Sequence, residues 1–104
     1  MSNTDSAQNE PVIGSLRPYR WSSEQSVAYE AAIEAINGVV GAYSALIADA
    51  ESRPGTVAEI TEYRRLRSEC QQERRALKAE DAEHIARVRA AYSARLHELM
   101  EPGA

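Results

Sequence analysis

With 104 residues and a net charge of −4, the chain is one small domain and not a surface built to grip nucleic acid all over, because that affinity comes mainly from neutralised phosphates. One Trp, five Tyr and no Phe leave a core of Ala, Ile, Val and Leu, which suits thin helical packing better than a sandwich or a barrel. The one cysteine, Cys70, excludes an internal disulfide and fits a reducing compartment.

No cationic patch followed by an apolar run marks a secretory signal, so a cytoplasmic location is expected. Eleven Arg to one Lys, beside abundant Ala, is the composition of a high-GC bacterial protein. Residues 1–10 are polar without periodicity and read as a disordered N-terminus. Residues 11–21 set Val12, Ile13, Leu16, Tyr19 and Trp21 among two prolines and a glycine, which predicts an extended apolar arm.

Helix 1 is predicted over about 23–52, after a capping box formed by Ser22 and Gln25. Its large apolar stripe is Tyr29, Ile33, Ile36, Val40, Tyr43, Ile47 and Ala50, at alternating steps of four and three. A second stripe holds only small residues: Ala31, Ala35, Gly38, Ala42 and Ala45. A helix that is apolar or small on two sides is buried on two sides. Glu34, Asn37 and two glycines interrupt residues 31–48, so no membrane span is expected, since a span wants about 20 apolar residues without charges.

Ser52, Arg53, Pro54 and Gly55 form the predicted turn, and Thr56 with Glu59 a second capping box. Helix 2 is predicted as one element over about 57–100, where neither Gly nor Pro occurs. Its stripe is Ile60, Tyr63, Leu66, Cys70 and Leu77, then Ile85, Val88, Tyr92, Leu96 and Leu99. The register slips between Leu77 and Ile85, where Asp81 stands at an apolar position. A stutter keeps the helix whole, whereas an Asp81 cap would break it there; Ala, Glu and Lys around the junction favour the continuous helix.

The expected fold is therefore all-α, an antiparallel two-helix hairpin in a domain over 22–101, with an N-terminal arm and pairing into a four-helix bundle. Two glycines in helix 1 cost roughly 1 kcal/mol each relative to Ala, a cost explained by close approach of another helix. Ala31, Ala35, Gly38, Gly41, Ala42 and Ala45 are thus the expected homodimer interface. Trp21, Tyr92, Leu96 and Leu99 are expected to meet each other or a protein partner, because the longer helix 2 overhangs helix 1.

Two other chemistries have candidate residues. Arg64, Arg67, Arg74, Arg75, Lys78 and Arg89 line one flank of helix 2 and would serve a nucleic-acid-associated protein. The acidic balance favours pairing with helix 1 instead, where residues 21–52 carry five acids and no Lys or Arg. Glu30, Asp81 and His84, with Glu34 near by, would be the ligands of a metal-binding carboxylate/His bundle; His97 falls on another face. Cys70 on the apolar stripe reads as a small hydrophobe. No phosphate loop, zinc spacing or Ser/His/Asp set occurs. The expected function is a non-catalytic protein-protein interaction module, a small regulator or adaptor that needs no cofactor.

Overall fold

The structure, a computed structural model, describes residues 23–101. Among them it is all-helical, with three helices and no strand: α1 over Ser23–Glu51, α2 over Val57–Ala76 and α3 over Ala82–Met100. Residues 1–10, the arm at 11–21 with its Trp21, and the Ser22 half of the first capping box lie outside the described residues.

The long second helix expected from the sequence is two helices. Leu77 leaves α2 in extended geometry at φ −72 and ψ 131, and Asp81 caps α3 by accepting a hydrogen bond from the His84 backbone N–H at 3.1 Å. Residues 77–81 contain good helix formers, but propensity differences amount to only tenths of a kcal/mol per residue. The break lets α3 fold back and bury Ile85, Val88 and Tyr92, at about 1.5–3 kcal/mol for each large apolar side chain. Burial outweighs local preference. The linker joins the core too, through buried Leu77 and Ala79.

The turn after α1 is stabilised differently from the expected capping box. Gly55 takes the left-handed conformation at φ 76, which glycine adopts without steric cost. Thr56 makes no side-chain cap bond to α2. Its hydroxyl turns back and donates to the Ala50 carbonyl at 2.6 Å, with the Arg53 carbonyl at 3.1 Å. A buried hydroxyl there satisfies carbonyls that the end of α1 leaves without helical partners. Glu59, the expected partner of Thr56, pairs with Arg53 instead.

Helix α1 is the central element, packed against both α2 and α3. Arg64 to Glu51, Arg67 to Ser44 and Arg74 to Asn37 show α2 running back along α1. Ala82 and Ile85 begin α3 beside Gln25 and Ala28, while Leu96 near its end meets Gly38. Helix α3 therefore runs parallel to α1. The buried line of α1 is Ala32, Ile36, Val39, Tyr43, Ile47 and Ala50, which lies between the two expected stripes and takes in the Ile36, Tyr43, Ile47 and Ala50 of the larger one. Tyr43 and Tyr63 join α1 to α2, with ring centroids 6.2 Å apart at 33°, within the range of favourable aromatic pairs.

Candidate functional site

Three groups of side chains are candidates, and each grows from how the helices pack. The first is the small face of α1. Ala31, Ala35, Gly38 and Ala42 are half-buried, whereas Gly41 and Ala45 are exposed. A Cβ on Gly38 would lie 2.8 Å from Leu96 Cδ2, so this glycine lets α3 of the same chain come close. At Gly41 a Cβ would meet nothing within 4 Å. The two glycines, equivalent in the sequence, have different surroundings.

Gly41 belongs to an exposed stripe of α1 that only Arg74 of α2 reaches, at Asn37, among the described contacts. Val27, Glu30, Glu34, Asn37, Gly41, Ala45 and Ala48 are all exposed at steps of three and four, the spacing of one helix face. Its lower half is acidic, and its upper half is small and apolar. Helix α1 is long and apolar enough, by length and composition, to cross a membrane, yet only 28 % of that apolar window is buried within the chain.

The second group sits between α2 and α3. Cys70 is fully buried, with the Arg95 Nη1 3.9 Å from its Sγ. The same guanidinium stands over the Tyr92 ring, its carbon 5.0 Å from the centroid, a cation–π contact. Burial, then the adjoining Cys70, push the Tyr92 phenol up to about 12, with Glu73 adding to the rise and Arg95 opposing it. Glu73 meets the His84 Nε2 at 2.7 Å. Nothing in the spacing of the sequence assigns Glu73 this role; for Arg95 the signal is its place one turn beyond Tyr92, beside the apolar stripe.

The third group is the cations. Arg64 pairs with Glu51 at 3.0 Å, Arg67 donates to Ser44 at 3.0 Å, and Arg74 bonds Asn37. Three of the six flanking cations thus reach back to α1. Arg75 and Lys78 are exposed, and Arg89 lies on α3 beside the start of α1. Arg65, outside that flank, is held by Glu62 and Glu69 on its own helix; the Glu62 hydrogen bond raises its ionisation well above the usual arginine range.

The remaining expected residues are dispersed. Tyr92 is buried, and Leu96 and Leu99 are partly buried against the core. Asp81 is occupied as a cap and His84 by Glu73, while Glu30 stands exposed on the outward face of α1. Among the described residues no three His, Cys, Asp or Glu side chains converge to hold a metal ion. No known protein family matches the chain, nor does any curated protein or solved structure.

Proposed function

We propose that the protein is a non-catalytic helix-helix interaction module that self-associates through the outward face of α1. One observation carries this reading: α1 is the most apolar of the described helices, and one whole face of it, from Val27 to Ala48, stays exposed. Gly41 adds to it. An exposed glycine inside a helix costs roughly 1 kcal/mol against Ala, and among the described residues none comes close enough at Gly41 to offset that cost. A second helix lying across Gly41, Ala45 and Ala48 would.

Charge selects the direction of pairing. In a parallel pair Glu30 and Glu34 would face their own copies, and like charges in register disfavour that arrangement. In an antiparallel pair with the two-fold axis near Gly41, Glu34 lies toward Ala48 and Glu30 toward Ser52 of the other copy, away from their own counterparts. Helix association is also favoured over nucleic-acid binding by Arg64, Arg67 and Arg74, which are turned toward α1.

Disulfide trapping tests the arrangement, since buried Cys70 does not compete. Gly41→Cys is expected to give a covalent dimer on mild oxidation, and Glu30→Cys is not. Equal yields from the two variants, or none from Gly41→Cys, would remove the antiparallel α1 pair.

A further inference from the structure

A groove runs between the start of α1 and the start of α3. At its deepest point is a cavity of about 100 Å³ lined chiefly by Ala28, Ala79, Ala82, Ile85 and Ala86, with Arg89 at its edge. It continues as shallow surface past Val27 toward the α1 start and past Ala90 to Ser93 along α3. Small side chains make it concave, and Val27, 62 % exposed, leaves an apolar rim. Between the two helices it follows α3 from Ala82 to Arg89, about 10 Å at 1.5 Å per residue.

The N-terminal segment has the length, position and chemistry to fill it. Twenty-two residues precede Ser23, which itself lines the groove. Residues 16–21 in extended form span about 20 Å, enough to cover the groove if the chain turns back at Ser23. That stretch alternates apolar Leu16, Tyr19 and Trp21 with the cations Arg17 and Arg20. The α1 side of the groove offers Glu24, with Glu34 further up the helix, and residues 21–52 hold no Lys or Arg. Arg89, on the α3 side, supplies a guanidinium of the kind that stacks on aromatic rings.

We propose that residues 16–21 fold back at Ser23 and dock in the α1–α3 groove of their own chain, with Tyr19 and Trp21 over the cavity and Arg89. This site differs from the expected arm contacts Tyr92, Leu96 and Leu99, which pack into the core. It lies near the start of α1, before Gly41; Val27 and Glu34 are common to it and to the outward face, and the response to dilution separates the two.

Trp21, the one tryptophan, reports on the groove directly through acrylamide quenching of its fluorescence in the full-length protein. The expected result is quenching several-fold weaker than for free indole, unchanged across about a hundredfold dilution. Ala86→Arg, which plugs the groove and repels Arg17 and Arg20, is expected to return quenching to the solvent value with helical circular dichroism retained. Ala90→Arg gives the same readout if Ala86→Arg fails to fold. Solvent-like quenching in the unaltered protein, or protection that survives a folded groove variant, would overturn the proposal. Protection lost on dilution would also overturn it, by assigning the groove to the arm of a second copy.

Discussion

Gly38 and Gly41 show how much a neighbour decides the meaning of a residue. Both lie inside the same continuous helix, but Leu96 stands against Gly38 and open space surrounds Gly41. Gly38→Leu is therefore expected to lower stability by about 1–3 kcal/mol, the usual cost of overpacking, as read from urea denaturation. Gly41→Leu is expected to leave the chain folded, with no such loss. Tyr92 carries a second expectation. Burial beside Cys70 raises its phenol from 10.0 to about 12, so the folded chain holds a proton that the unfolded chain releases in between. Its contribution to stability is complete below pH 10 and is lost as pH rises toward 12. Denaturant melts through that window should show the fall, and Tyr92→Phe should lack it.

At the scale of elements, helix starts and stops were legible where backbone chemistry is decisive. Pro54 and Gly55 stop α1, and the Gly55 left-handed turn delivers the chain to α2 at Val57, where the sequence placed it. The break at 77–81 was hidden by residues that favour helix. Its trace was the slip in register and Asp81 on the apolar stripe, which is the alternative that prevails because α3 gains cover. Asp81→Ala removes a cap whose carboxylate accepts from the His84 backbone and should cost about 1 kcal/mol. Thermal melting checks this; an unchanged midpoint would mean the cap does not hold the α3 start. The Glu73–His84 and Cys70–Arg95 contacts were not legible, because they require α2 and α3 to face each other, and a continuous helix forbids that.

For the whole molecule, the overhang expected from helices of unequal length is resolved by α3, which returns along α1 and brings Val88, Tyr92, Leu96 and Leu99 to the core. Two-sided burial of α1 is satisfied by α2 and α3 of one chain. What remains is the third side of α1, acidic toward its start and small and apolar beyond Gly41, and this is the surface on which the proposed self-association rests. Light scattering over a concentration series, on the full-length protein and on Gly41→Leu, tests that claim most directly. A dimer is expected for the unaltered chain and a folded monomer for Gly41→Leu at the same concentrations. A monomer throughout the series, or a dimer that Gly41→Leu leaves intact, would contradict it.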